Sequence, residues 1–215
     1  MKILIRNGTL IIDGKKRINN GAILVEKDKI TEIYKDYSDV CADKVIDARG
    51  NYIIPGLIET HTHGIMGYDF NTCSLDDLQK ISDASLQEGV TCFMASLVCE
   101  SHERMLELVR MYDQSVVKNL LGVHIEGPFL NINNKGVMKV ECLQKPCKEK
   151  FDDYLKHCSK LKSMTIAPEL ENALDELKIK NITELYLSIG SNKFTAQSVV
   201  KLLLKRDETE DIANK

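Results

Sequence analysis

The stretch "IIPGLIETHTHGIMGYDF", residues 53–70, places His61 and His63 one residue apart directly after an apolar run. The run is typical of a β-strand. Side chains two residues apart in an extended segment share a face, so the two imidazoles are expected to point the same way. Parallel α/β proteins gather their chemistry where strands end and loops begin. The segment is therefore a candidate for one half of a metal site.

After this segment, apolar strand-like runs alternate with amphipathic helical stretches. Ser74 followed by Asp77 has capping-box spacing and predicts the start of the first helix. The second helix is predicted to present Met105, Val109, Tyr112 and Val116 on one face. Apolar strands joined by helices indicate a parallel sheet covered on both faces, here of five βα units. The five runs are YIIPGLIE (52–59), VTCFMASLV (90–98), LLGVHIE (120–126), SMTIAPE (163–169) and ELYLSIG (184–190).

The residues before position 53 have a different pattern. Short alternating runs are separated by the turn signals Asp13-Gly14 and Asn20-Gly21, and "KITEIYK" follows a charged turn. This pattern predicts a small antiparallel β unit. The sequence thus indicates two parts, residues 1–52 and residues 53–215.

Composition and charge limit the partners. Positive and negative residues are interleaved to a net charge of −3, which favours neither nucleic acid nor a membrane surface. With no signal-peptide core and no run of membrane-spanning length, a cytoplasmic location is expected. The seven cysteines form no CxxC pair, so reduced packing residues are expected rather than disulfides or a zinc knuckle.

Glu126 is a second candidate ligand, because it closes the strand "GVHIE" at another predicted strand end. Two imidazoles and a carboxylate are an ordinary ligand set for Zn²⁺, Fe²⁺ or Mn²⁺. Each feature also has an interpretation without a metal. An isolated HxH is often incidental, and Glu126 can be a capped or salt-bridged residue because the Gly127-Pro128 that follows it is a turn signal. His124 is expected in the core or behind the ligands. The two remaining histidines, His102 and His157, are expected to be solvated on helices.

Three strings connect these residues to a family. "VIDARGNYIIPGLIETHTHG" (45–64) resembles the entry into the barrel of the amidohydrolase superfamily. "GVHIEGPFLNINNKG" (122–136) with "MTIAPEL" (164–170) resembles, within it, the N-acetylglucosamine-6-phosphate deacetylase family. The resemblance implies an α/β fold: a partial TIM barrel of about five strands over residues 53–215, preceded by a portion of a small β-sandwich over residues 1–52.

The resemblance also implies a reaction and its residues. The reaction is metal-assisted hydrolysis of the N-acetyl group of N-acetylglucosamine 6-phosphate to glucosamine 6-phosphate and acetate. Glu126 is implied as the principal ligand of a divalent metal (Zn, Fe or Mn), with His61 and His63 as further ligands. Val137, which follows Lys135-Gly136, is implied to contact the substrate.

Three departures from the family pattern lower the expected activity. Ser191 in "LSIGSNKFTAQ" occupies the place of a histidine ligand, and Met138 replaces a histidine of the substrate loop. The second histidine ligand and the catalytic aspartate of the family have no counterpart before Lys215, so no catalytic acid or base is assigned. Weak and partial metal occupancy is expected, and no enzymatic turnover by this chain alone.

Three readings stay open at this point. The chain is a deacetylase polypeptide completed by another chain, a non-catalytic truncated paralogue that binds metal or sugar phosphate, or another HxH amidohydrolase such as a dihydroorotase-like enzyme. A barrel cut after its fifth strand exposes two edges, which predicts a homo-oligomer or a complementary fragment as partner.

Overall fold

A computed structural model of the chain describes residues 1–167, 170, 171 and 173. The chain divides into two compact units, Met1–Gly56 and Leu57–Lys215, which are described separately. The predicted fifth strand of the parallel sheet (184–190) and Ser191 lie outside the described residues.

The first unit contains one five-stranded sheet with the strand order β3-β2-β1-β4, and β5 pairs with β1 beside it. β2 is antiparallel to both β1 and β3, whereas β4 and β5 run parallel to β1. The unit is therefore mixed rather than purely antiparallel as predicted. Its strands are β1 (Lys2–Ile11), β2 (Arg17–Glu26), β3 (Lys29–Tyr34), β4 (Lys44–Asp47) and β5 (Tyr52–Ile53).

One predicted turn in this unit is wrong. Asn20-Gly21 lies inside β2, at an irregularity of its pairing with β1. A Cβ on Gly21 would fall 2.5 Å from Leu10 Cδ1, so glycine is needed there for close packing. The charged turn predicted before KITEIYK is observed between β2 and β3, where Lys27 and Asp28 both adopt positive φ.

The second unit contains a four-stranded parallel sheet with the order β11-β10-β9-β6, and a short β7–β8 hairpin follows β6. The unit is α/β, as predicted, with three helices among the described residues. Its strands are β6 (Leu57–Thr62), β7 (Gly64–Ile65), β8 (Tyr68–Asp69), β9 (Val90–Val98), β10 (Leu120–Glu126) and β11 (Leu161–Thr165), and its helices are α1 (Leu75–Gln87), α2 (His102–Asp113) and α3 (Lys148–His157).

The run YIIPGLIE, predicted as one strand, is two. β5 pairs with β1 in the first unit, and β6 begins only at Leu57. Pro55 lies between them, and it lacks the backbone N–H that a ladder needs. The first strand of the parallel sheet is therefore short and starts after Gly56.

The predicted start of α1 is observed, and so is the predicted face of α2 with one exception. The Ser74 hydroxyl accepts from the Asp77 N–H and the Asp77 carboxylate accepts from the Ser74 N–H, which forms the predicted capping box. Met105 and Tyr112 of α2 are buried. Val116 was predicted on the same face but is 91% exposed, because α2 ends at Asp113.

All seven cysteines are free, and four of them are buried. Burial raises the pKa of the Cys158 thiol to about 11, which keeps it protonated and unreactive at neutral pH. No helix within the described part of the chain combines the length and apolar character needed to cross a bilayer.

Candidate metal site

The carboxyl end of the parallel sheet brings three predicted site residues together. His61 is the second-last residue of β6, His63 directly follows that strand, and Glu126 is the last residue of β10. β9 lies between these two strands and pairs with both. Because the strands are parallel, their carboxyl ends meet at one edge, and the three side chains converge there.

The distances among the three side chains are short. Glu126 Oε2 lies 3.1 Å from His63 Nε2 and 3.6 Å from His61 Nε2. One donor atom of each residue lies within 4.8 Å of the other two. The ligand atoms of a tetrahedral ion bound at about 2.1 Å are separated by about 3.4 Å. The two measured separations are therefore compatible with one shared cation.

The orientation of His63 is fixed by the neighbouring strand. His63 Nδ1 lies 3.0 Å from the backbone carbonyl oxygen of Ser96 in β9. A carbonyl can only accept, so Nδ1 carries the hydrogen and, in the neutral ring, Nε2 carries a lone pair. That lone pair faces the carboxylate of Glu126, which is repulsive unless Nε2 is protonated or a cation lies between them. This arrangement is common for histidines that bind metal ions.

His61 is held differently. Its backbone N–H donates to Glu59 Oε1 at 2.9 Å. Its ring packs edge-on against His63, with centroids 5.2 Å apart, and at a tilt against His124, with centroids 4.9 Å apart. Apart from the Nε2 contact with Glu126, the His61 ring makes no hydrogen bond to the described residues.

His124 is buried behind His61. Its Nδ1 lies 2.6 Å from Ser163 Oγ and its Nε2 lies 3.1 Å from Thr165 Oγ1. Burial, and secondarily the nearby rings of His61 and His63, lower the pKa of His124 to about 3, so its imidazole is neutral near neutral pH. It does not belong to the three-residue cluster.

A cavity of about 420 Å³ opens in front of the three side chains. Val137 lines it and is 92% exposed, which places this predicted substrate contact on the wall of the cavity. Met138 also lines it but is buried, with Sδ 3.7 Å from the Cys99 thiol. Lys135 Nζ donates to the Met138 carbonyl at 2.7 Å, and this hydrogen bond closes the loop from Lys135 to Met138.

The prediction that His102 is solvated is wrong. Only 16% of its side chain is exposed, and its Nδ1 lies 3.0 Å from the hydroxyl of buried Tyr154. Its Nε2 lies 3.3 Å from Asp153 Oδ2. This contact joins α2 to α3, away from the cavity. His157 is part-buried and bonds through Nδ1 to the Asp153 carbonyl.

Three residues around the cluster have no role predicted from the sequence. The Ser96 carbonyl bonds to His63, and the hydroxyls of Ser163 and Thr165 bond to His124. A signal was available, because Ser163 and Thr165 alternate on β11 as His124 and Glu126 alternate on β10. Pairing in register places Ser163 opposite His124 and Thr165 opposite Glu126, and both hydroxyls bond to the His124 ring.

The chain is similar in sequence and fold to several known proteins. The chain is 24% identical over 205 residues to N-acetylglucosamine-6-phosphate deacetylase of Lysinibacillus sphaericus, covering 93% of this chain and 52% of that protein. It is 31% identical over 130 residues to the deacetylase of Haemophilus influenzae, covering 59% and 34%. The crystal structure of the Thermotoga maritima deacetylase matches with a TM-score of 0.69 and 26% identity, covering 86% and 48%.

Over most of its length the chain is therefore similar to N-acetylglucosamine-6-phosphate deacetylases. The chain spans about half the length of the curated deacetylases it matches. A family model described as the RelA/SpoT AH domain also matches residues 156–204, less than a quarter of the chain and mostly outside the described residues. The similarity to the deacetylases includes the described metal candidates, whereas the second match does not.

Proposed function

We propose that the chain binds one divalent metal ion through His61, His63 and Glu126, and that this ion serves amide hydrolysis of the N-acetylglucosamine-6-phosphate deacetylase type. One observation carries the proposal: two imidazole Nε2 atoms face the same carboxylate oxygen, at 3.1 and 3.6 Å. We further propose that β6, β9, β10 and β11 are consecutive strands of a (β/α) barrel, whose carboxyl end carries such sites.

The donor set fits a divalent transition metal. Two imidazole nitrogens and one carboxylate oxygen are the ligands of several catalytic zinc sites, and the same set holds non-haem iron(II). Mn²⁺ also accepts a carboxylate ligand. When bound, such a cation lowers the pKa of water and polarises an amide carbonyl, which is the chemistry that N-acetyl hydrolysis needs.

The protein residues orient this chemistry. The Ser96 carbonyl holds the His63 ring so that Nε2 faces the site. Val137 lines the cavity together with its neighbours Gly136 and Met138. N-acetylglucosamine 6-phosphate, the substrate named for the relatives, is the proposed occupant.

The described cavity lacks one catalytic component. Glu126 is the only carboxylate among the described residues that line it, and it is committed to the metal. Hydrolysis also needs a general acid to protonate the leaving amine, a contribution of about 10²- to 10⁴-fold. We therefore propose that the described residues supply metal and substrate binding, and that the acid comes from elsewhere.

Metal analysis of the purified chain tests the proposal. We expect bound Zn, Fe or Mn in the wild-type protein and loss of most of it in Glu126→Gln. Glu107→Gln, which alters an exposed carboxylate of α2, should keep the metal. Equal metal content in wild type and Glu126→Gln would overturn the assignment.

An assay for acetate release separates the enzyme from a binding protein. With N-acetylglucosamine 6-phosphate and added Zn²⁺, Fe²⁺ or Mn²⁺, the 215-residue chain is expected to bind the metal without enzymatic turnover. Turnover that disappears in Glu126→Gln would show instead that the chain carries its own acid.

A further inference from the structure

His61 and His63 differ in what holds their rings. The His63 ring is anchored by a hydrogen bond from Nδ1 to the Ser96 carbonyl. The His61 ring has no such bond among the described residues, and 46% of its side chain is exposed. Its orientation depends on packing against two rings, and one of them, His63, is also part of the ligand set.

The other ring, His124, is rigidly held. It is 5% exposed, and both of its nitrogens are bonded to hydroxyls of the neighbouring strand, Ser163 and Thr165. A hydroxyl can donate or accept, so both bonds can form with either neutral tautomer of the imidazole. The ring thus bridges β10 and β11 under the site.

Ser96 of β9, the strand on the other side of β10, makes no side-chain hydrogen bond to the His124 ring. Ser96 of β9 pairs in register with His124, but its buried Oγ has no hydrogen-bond partner among the described residues. Its carbonyl is the acceptor for His63. The tilt of the His124 ring is therefore set by Ser163 and Thr165.

We propose that His124 is a positioning residue that fixes the His61 ring for metal binding, acting through ring packing instead of a hydrogen bond. Aromatic rings with centroids 4.5–7 Å apart attract one another, and the measured 4.9 Å lies in that range. The hydrogen bonds with Ser163 and Thr165 hold the His124 ring in this position. This inference rests on the proposed metal site.

The test uses Co²⁺, whose visible absorption reports ligand geometry, on the 215-residue chain. His124→Asn is expected to weaken Co²⁺ binding by about 10- to 100-fold, the usual effect of losing a residue that orients a metal ligand. It should also alter the visible spectrum. Thr165→Val and Ser163→Ala each keep the His124 ring but remove one of its hydrogen bonds. Each should cause a smaller loss of Co²⁺ affinity than His124→Asn.

The matched control is His102→Asn. It also removes a largely buried histidine with two polar contacts, but away from the cavity. A purely structural role for His124 would lower thermal stability as His102→Asn does and leave Co²⁺ affinity and spectrum at wild-type values. That result would overturn the inference.

A second readout does not require metal. The nuclear Overhauser contacts between the His61 and His63 ring protons, assigned with His61→Gln, should weaken in His124→Asn because the His61 ring loses its fixed orientation, and stay unchanged in His102→Asn. If the wild-type chain binds no Co²⁺, the proposed function fails, and these contacts alone decide whether His124 orders His61. Unchanged His61–His63 contacts in His124→Asn would then refute the inference.

Discussion

Glycine at position 64 is required by the geometry directly behind His63. Gly64 has φ of +147°, and a Cβ built there would lie 1.8 Å from the Tyr68 carbonyl oxygen. Tyr68 belongs to β8, which pairs with β7 at this point. A side chain at position 64 would force the two strands apart and displace the segment that carries His63.

Gly64→Ala is therefore expected to lower the free energy of unfolding by about 3 kcal/mol, from overpacking and backbone strain together. Denaturant unfolding measures it. The control is Gly67→Ala, where φ is +83° but nothing lies within 4 Å of a new Cβ. It should cost about 1 kcal/mol, from backbone strain alone. Equal costs at the two positions would contradict the account.

The sequence predicted which candidate side chains converge, but it did not predict the contacts that hold them. The His61 and His63 pair and Glu126 follow from strand-end positions, because a single strand determines which way a side chain points. The His63 to Ser96 carbonyl bond does not, since it depends on the register between two strands. His102 was misassigned because its partners, Tyr154 and Asp153, are about fifty residues away along the chain.

At the scale of elements, the cap of α1 is the clearest local signal. Asp77 accepts hydrogen bonds from Lys80 and from Ser74, and these lower its pKa to about 2. A carboxylate with a folded-state pKa below its unfolded value stabilises the protein above the unfolded pKa. That contribution disappears as the pH falls from about 4 to about 2.

Ser74→Ala is expected to destabilise the protein by about 1 kcal/mol, the usual effect of losing an N-cap. Asp77→Asn should destabilise it at about pH 7, with the difference from wild type shrinking by about pH 3. Asp76→Asn, which keeps both cap hydrogen bonds, is the control. Unfolding at the two pH values checks this, and a pH-independent effect of Asp77→Asn would be evidence against the capping role.

Strand boundaries were predicted well where strands are apolar and central. The runs 90–98 and 120–126 match β9 and β10. The run 52–59 failed because Pro55 ends one pairing before the next begins. The turn at Asn20-Gly21 failed because its glycine is needed for close packing inside a strand.

At the scale of the whole molecule, β6 presents an open edge in the second unit. It pairs with β9 on one side, and no other strand among the described residues pairs with it. Leu57 and Ile58 on β6 are 53% and 62% exposed. An exposed apolar edge strand is a template for pairing with another chain.

Self-association through this edge is therefore expected. Light scattering coupled to size exclusion should show a species larger than a monomer, and Ile58→Lys should return it toward the monomer, because a charge on an edge strand opposes pairing. Val116→Lys, at a 91% exposed position, is the control and should change nothing. A monodisperse wild-type monomer would be inconsistent with this prediction.

The α/β class and the position of the candidate site at strand ends could be predicted from the sequence, since both follow from periodicity and local order. The mixed topology of the first unit could not. Parallel pairing of β4 and β5 with β1 joins segments about forty residues apart, and no short pattern records it.

X-ray absorption at the zinc edge of the zinc-loaded chain reports directly whether His61, His63 and Glu126 hold the proposed metal ion. We expect a shell of nitrogen and oxygen at about 2.0–2.2 Å with scattering from two imidazoles. Seven free cysteines offer an alternative ligand type in the same molecule. A sulfur shell at about 2.3 Å, or the absence of imidazole scattering, would contradict the account.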